Sequence, residues 1–237
     1  MIPKIIHQCW YGLEGPLPEN PHYHEGKRIT ENLHPDWNVI LWNKETSRQL
    51  VKEHFPFYLP FYDNFRYEIQ RMDFDRFVYL YVYGGFYIDL DVHPLKSLEP
   101  LRDRELILHS SDNFIPSQKT YTNNFMASKP NHPLWKTLIQ ECFNNYTEKN
   151  HNKIYDEWKG RFVLQTTGPN FMTRVLKRVL PKYQKDYLVY IPERIMKEFD
   201  LPLTNENIED YYLIDQMNRG WMDEIGIKNN KKTTLKI

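Results

Sequence analysis

The run Gly84-Gly85-Phe86-Tyr87-Ile88-Asp89-Leu90-Asp91-Val92 places two carboxylates two residues apart in an apolar stretch that follows a helix-stopping pair of glycines. Read as a strand over Phe86 to Val92, it sends Asp89 and Asp91 to one face, because strand side chains alternate sides with period two. Carboxylate oxygens are the ligands that Mg²⁺ and Mn²⁺ prefer, and phosphate oxygens complete the shell of either ion. The chemistry to which this spacing points is the capture of a diphosphate through a divalent metal. A second Asp-x-Asp, Asp73 and Asp75, has the same spacing but lies in the helical pattern Ile69, Met72, Arg76, Phe77, Leu80, where residues two apart do not share a face. Spacing alone also admits a plainer reading of Asp89 and Asp91, as solvated carboxylates that end a strand.

The elements that must position these groups follow from pattern. Lys4 to Trp10 reads as a buried first strand, and Gly15-Pro16-Leu17-Pro18 as loop. A helix from His24 to Leu33, a strand from Asn38 to Trp42 and a helix from Lys44 to His54 come next. A helix over Glu68 to Tyr83, stopped by Gly84-Gly85 in a left-handed cap, then feeds the aspartate strand. Leu106 to His109, Asn124 to Ala127 and Leu188 to Ile191 read as strands, and Pro133 to Asn145 and Asn170 to Leu180 as helices. This alternation is that of an α/β sheet.

Composition narrows the partners. The chain of 237 residues carries 31 basic and 31 acidic residues, so it lacks the positive footprint of a nucleic-acid binder. Its two cysteines, Cys9 and Cys142, are too few for a disulfide framework and suit buried thiols in a reducing compartment. No apolar run has bilayer-spanning length and no signal sequence precedes the first strand, so the expectation is a soluble cytoplasmic protein. We expect one domain over residues 1–227, and a disordered tail over 228–237 whose lysines 228, 231, 232 and 236 offer at most peripheral membrane contact.

Three segments together resemble family 32 of the glycosyltransferases, the DXD sugar-binding group that includes the yeast initiating α-1,6-mannosyltransferases and has distant kin in the glucosylating domains of large clostridial toxins. The first is Ile2-Pro3-Lys4-Ile5-Ile6-His7-Gln8-Cys9-Trp10, the second Asp73-Phe74-Asp75-Arg76 with Leu80, Gly84, Gly85, Tyr87, Asp89 and Asp91, and the third Thr167-Gly168-Pro169. The resemblance implies an α/β fold of GT-A type, a Rossmann-like nucleotide-sugar-binding unit with a mixed central sheet and flanking helices. It also implies a UDP- or GDP-sugar donor, Mn²⁺ or Mg²⁺, and transfer of a hexose to a glycan or other hydroxyl acceptor with retention of configuration. Separately, the lack of a Golgi-type anchor in the sequence leads us to expect a bacterial or viral polysaccharide pathway rather than a secretory one.

On that resemblance Asp73 and Arg76 grip the sugar, Tyr87 lies beside them, Asp89 and Asp91 hold the metal, Gln8 reaches the nucleotide and Trp10 stacks on its base. A lone strand histidine is more often a core residue, so His7 is left outside the site. The segment from Tyr212 to Trp221 resembles the family's C-terminal stretch, in which a histidine is followed five and six residues later by serine and tryptophan. Here Asp215 stands in place of the histidine and Gly220 in place of the serine, while Trp221 is kept. Asp215 thus becomes a candidate third metal ligand, and Trp221 a candidate lid over the diphosphate. Two other readings stand beside transfer: a metal-dependent hydrolase of nucleotide sugars, distinguished by turnover that ignores acceptor, and a non-catalytic sugar-binding module, against which the intact Asp89 and Asp91 pair argues.

Overall fold

The computed structural model describes residues 1–11, 21–111, 120–149, 159–192, 195–198 and 210–216. Its centre is a six-stranded sheet in the order β2-β1-β3-β6-β5-β7, formed by β1 (Ile5–Cys9), β2 (Asn38–Trp42), β3 (Gly85–Ile88), β5 (Leu106–Ser111), β6 (Thr120–Ser128) and β7 (Val189–Tyr190). The β2-β1-β3 half is parallel, β6 runs antiparallel to both β3 and β5, and β7 joins β5 in parallel. A second sheet of β4 (Val92–Pro94), β9 (Leu213–Asp215) and β8 (Met196–Glu198) stands apart from the first.

Alternation along the strands builds two cores, one on each face of the large sheet. Cys9, Tyr87, Leu106, Leu108 and Met126 point to one face, where they meet α2 (Lys44–His54), α4 (Glu68–Val82), α5 (Pro133–Lys149) and α7 (Pro169–Asp186). Ile6, Phe86, Ile88, Ile107, Phe125 and Ala127 point to the other, where Val92, Met196 and Leu213 of the small sheet cover them. The remaining helices are α1 (Pro21–Leu33), which packs on β4, α3 (Leu59–Asp63) and α6 (Lys159–Thr166). The mixed central sheet with flanking helices agrees with the expected class, and β2 and α2 have the bounds read from the pattern.

Helix α4 is the pivot of the fold. Ten of its fifteen residues are buried, Asp73, Asp75 and Arg76 among them, so it runs through the interior rather than along the surface. Gly84 and Gly85 end it with φ of 65° and 90°, and a Cβ on Gly85 would stand 2.5 Å from the Ile5 carbonyl oxygen. Glycine is therefore required there both for the backbone conformation and for the close approach of β3 to β1.

The expected strand over Phe86 to Val92 is not continuous. Strand β3 stops at Ile88, and the chain turns through Asp89, Leu90 and Asp91, with the Val92 amide donating to the Asp89 carbonyl at 3.0 Å, before β4 begins in the other sheet. Asp89 and Asp91 therefore lie on a turn between two sheets, and strand alternation does not set their directions. Gly15 to Pro18, Gly220, Trp221 and the lysine tail lie outside the described residues. Among the described residues no helix is long and apolar enough to cross a membrane.

Candidate active site

The turn after β3 meets α4 through one guanidinium. Arg76 places Nη1 3.4 Å from Asp73 Oδ1 and Nη2 3.1 Å from Asp89 Oδ1, donates from Nη1 to the Asn123 carbonyl at 3.0 Å, and lies 4.9 Å from the centre of the Tyr87 ring. The Tyr87 hydroxyl donates to the same Asp89 oxygen at 2.7 Å. Arg76 is thus not confined to a sugar-binding pair with Asp73. It joins the proposed sugar end of the site to the proposed diphosphate end.

Asp73 is held from both sides. Asn123 Nδ2 donates to Oδ1 and the Thr167 hydroxyl donates to Oδ2, each at 2.8 Å. Thr167 comes from the α6–α7 junction, where a Cβ on Gly168 would stand 3.5 Å from Asp73 Oδ2, and so the short Thr167-Gly168-Pro169 match acquires a role in seating Asp73. Each carboxylate oxygen keeps accepting capacity beyond these bonds.

Asn123 and Asn124 were not marked as site residues from the sequence. As neighbours on β6 they point to opposite faces, as strand alternation requires, beside an irregularity where the β5–β6 pairing passes from Leu108↔Met126 to His109↔Thr122. Asn123 reaches Asp73 on the α4 face, whereas Asn124 Nδ2 donates to Asp215 Oδ2 at 2.8 Å on the small-sheet face. The Asn124 carbonyl also accepts the Asp89 amide at 2.9 Å. The signal in the sequence is the polar pair itself, two adjacent asparagines leading into the apolar run Phe125 to Ala127.

Asp215 is buried and stands opposite Val92 in the β4–β9 register, while the Gln216 amide donates to the Asp91 carbonyl at 2.9 Å. The C-terminal segment therefore lies against the aspartate turn. Trp10 leaves β1 with its amide on the Trp42 carbonyl at 2.9 Å and its ring 5.1 Å from that of Tyr23. Gln8 is fully buried on the strand face shared with Ile6, away from α4, and neither polar atom of its carboxamide has a partner. His7 bonds the Gly84 carbonyl at 2.8 Å and accepts from the Trp42 indole at 3.1 Å, a core role.

The electrostatics favour a cation. Burial is the largest influence on Asp73 and raises its pKa, and burial with repulsion from Asp91 pushes Asp89 up to about 6 despite the pull of Arg76. One guanidinium faces two carboxylates, Asp73 and Asp89, while Asp91 repels Asp89 from the same turn, an excess of negative charge that oxygen-loving Mg²⁺ or Mn²⁺ would neutralise. Among the described residues no three His, Cys, Asp or Glu side chains form a ready metal cage. Two carboxylates with room left for diphosphate oxygens are the donor set that suits an ion carried by a nucleotide. The residues present fit such a group.

Residues 22–108 match the model of the glycosyltransferase sugar-binding region containing the DXD motif. The chain is 32% identical to inositol phosphoceramide mannosyltransferase 2 of Schizosaccharomyces pombe across 90% of its own length, and spans 57% of that relative. Among solved structures it resembles the PaToxG glycosyltransferase with a TM-score of 0.56, at 17% identity, over 78% of this chain and 72% of that one. It likewise resembles the UDP-bound glycosyltransferase domain of the YGT toxin with a TM-score of 0.55, at 10% identity, over 81% and 79% of the two chains. The fold is the GT-A fold of these neighbours.

Proposed function

We propose that this chain, whose residues 22–108 match the glycosyltransferase sugar-binding region containing a DXD motif, moves a hexose from a nucleoside-diphosphate donor to an acceptor hydroxyl, with retention of configuration and with Mn²⁺ or Mg²⁺. The observation that carries this reading is the placement of Arg76 between Asp73 and Asp89, 3.4 and 3.1 Å away. A sugar nucleotide has hydroxyls at one end and a diphosphate at the other, and these two carboxylates sit at a spacing that one guanidinium spans. Mannose, named in the fission-yeast relative, and uridine diphosphate, named in the toxin-domain structure, are the first sugar and nucleotide to try.

In this reading Asp89 and Asp91 would hold the metal, and Asp215, drawn against the same turn by its bond to Asn124, is a third carboxylate that would be recruited when a nucleotide brings the ion. The ion when bound supplies a Lewis acid that stabilises charge on the departing phosphate. Asp73, fixed by Asn123 and Thr167, accepts hydrogen bonds from sugar hydroxyls with its remaining lone pairs. Arg76 orients Asp73 and Asp89 together and adds positive charge beside the bond that breaks, between the sugar carbon and the phosphate oxygen. Trp10 stacks on the base, and Trp221, which lies outside the described residues, is the candidate from the sequence for keeping water from the diphosphate.

The test is turnover of UDP- and GDP-hexoses with and without a pool of hydroxyl acceptors, in Mn²⁺ and after chelation. We expect donor loss that needs metal and rises with acceptor. Release of free sugar at the same rate without acceptor would make the protein a hydrolase, and turnover that survives full chelation would remove the metal from the reading.

A further inference from the structure

Asp75 is the buried carboxylate of α4 that the proposed chemistry leaves unused. It is fully buried, and its Oδ2 accepts from the hydroxyls of Tyr11 and, at 3.2 Å, Tyr62. The two hydroxyls also meet each other at 2.9 Å. Its second oxygen, Oδ1, has no hydrogen-bond partner, and its helix neighbours Phe74, Phe77 and Val78 are fully buried. A side chain needed only to fill this space would be apolar, because burying a carboxyl is costly unless its bonds serve some purpose.

Its partners show what that purpose is. Tyr11 follows Trp10 directly as the chain leaves β1, and Tyr62 lies in α3, so the carboxyl ties the β1 exit and α3 to the middle of α4. Asp73 and Arg76, on the same helix, point instead to the turn after β3 and to Asn123. One rigid helix thereby sets the place of Trp10 relative to the proposed sugar end of the site. The layer beneath is bonded as well, with the Tyr79 hydroxyl on Ser47 Oγ at 2.5 Å and on Cys9 Sγ at 3.6 Å.

We infer that Asp75 is a positioning residue for nucleotide binding: through the Tyr11 hydroxyl it fixes the segment that presents Trp10 to the base. The inference rests on the reading of Trp10 as the base-stacking residue, and it adds the groups that hold that ring in place. Tyr62 braces the same carboxyl and does not touch the nucleotide. The arrangement separates recognition of the base from the chemistry, so loss of the clamp acts on donor affinity and not on the rate of the bound donor.

The experiment is calorimetric titration of UDP and of GDP with Mn²⁺ into folded wild type, Tyr11→Phe, Asp75→Asn, Asp75→Leu, Trp10→Ala and the Tyr11→Phe/Trp10→Ala double variant, with kcat and KM for the donor. Tyr11→Phe should weaken the better-binding diphosphate about tenfold, the order of one buried hydrogen bond. KM for the donor should rise with kcat unchanged. Asp75→Asn, which keeps an acceptor oxygen, should restore most of the affinity that Asp75→Leu loses. The double variant should bind no worse than Trp10→Ala. Wild-type affinity in folded Tyr11→Phe, additive losses in the double variant, or failure of Tyr11→Phe to fold would each overturn the inference. A Trp10→Ala protein with unchanged affinity would overturn the base-stacking reading itself, while an effect of Trp10→Ala without one of Tyr11→Phe would sink only the clamp.

Discussion

The Nη2 of Arg76 lies 3.1 Å from Oδ1 of Asp89, an ion pair between the buried face of α4 and the turn that leaves the central sheet. The arginine side chain is 5% exposed and the aspartate 24%, so the pair sits at the floor of the site with one edge toward solvent. Charge there is strongly felt, because little water screens it.

Asp89→Asn and Asp91→Asn each remove a charge and almost no volume. Donor turnover in Mn²⁺ should fall by at least about a hundredfold, the scale of losing one preorganised electrostatic contact. Thermal unfolding checks that the fold survives. Full activity in both variants would remove these carboxylates from the site.

Asp73→Asn should damage handling of the intact sugar nucleotide more than that of the bare nucleoside diphosphate, since Asp73 sits at the proposed sugar end. Thr167→Val, which withdraws the 2.8 Å bond to Asp73 Oδ2, should do the same more mildly. Arg76→Ala should weaken both ligands, because it also leaves Asp89 unpaired. Calorimetric affinities for the two ligands separate the cases, and equal losses in Asp73→Asn would make Asp73 structural.

Trp10→Ala should cost diphosphate binding about 1 to 3 kcal/mol, the order found for a base stacked on an aromatic ring. The Tyr23 ring, 5.1 Å away, covers part of one side of the indole, so the nucleotide must approach elsewhere. Fluorescence of the remaining tryptophans against nucleotide concentration, or calorimetry, gives the constant. An unchanged value excludes stacking.

Asp215→Ala should shift the Mn²⁺ dependence of activity to higher concentration, and Asn124→Leu should do so to a lesser degree by releasing Asp215 Oδ2 from its 2.8 Å bond. Direct Mn²⁺ titration in the presence of nucleoside diphosphate reads this without turnover. If neither variant moves the titration, the β9 segment is structural. Trp221→Ala should lower transfer more than donor binding.

Asp75 should control part of the pH dependence of stability. Burial raises its pKa from the ordinary 3.8 to about 8, against the weaker pull of hydrogen bonds from Tyr11 and Tyr62 and of the charges on Arg71 and Arg76. A raised carboxyl pKa contributes stability that is full below the unfolded value and is lost as pH climbs through the folded one. His7 and His109, lowered by burial to about 4, act in the opposite sense and only below about pH 6.5. Between about pH 6.5 and 8 the Asp75 contribution should therefore fall by about 1 kcal/mol per pH unit, less steeply toward pH 8 as the folded carboxyl ionises, and Asp75→Asn should flatten it. Urea unfolding at those two pH values checks the slope, and the same slope in both proteins would show that Asp75 is ionised throughout.

The local signals in the chain were enough for its elements and for the identity of its chemical groups. The Gly84-Gly85 stop, the 3.6-residue pattern of α4 and the apolar run of β1 are nearest-neighbour properties, legible from the chain itself, whereas the grouping of Asp73, Arg76, Tyr87 and Asp89 into one site came from the resemblance to a family. What the sequence could not show is direction. Asp89 and Asp91 turn between two sheets because β3 ends at Ile88 and β4 pairs with β9, a contact with residues more than a hundred positions away. Asn123 and Asn124 part to opposite faces by simple alternation, but that Asp73 waits on one face and Asp215 on the other is set by α4 and β9. Asp75 finds two tyrosines from elsewhere in the chain, which helical spacing on α4 cannot reveal. Periodicity fixes which side of its own element a residue occupies, whereas the partner waiting on that side is set by long-range packing, and the charged groups of this site take their roles from those partners.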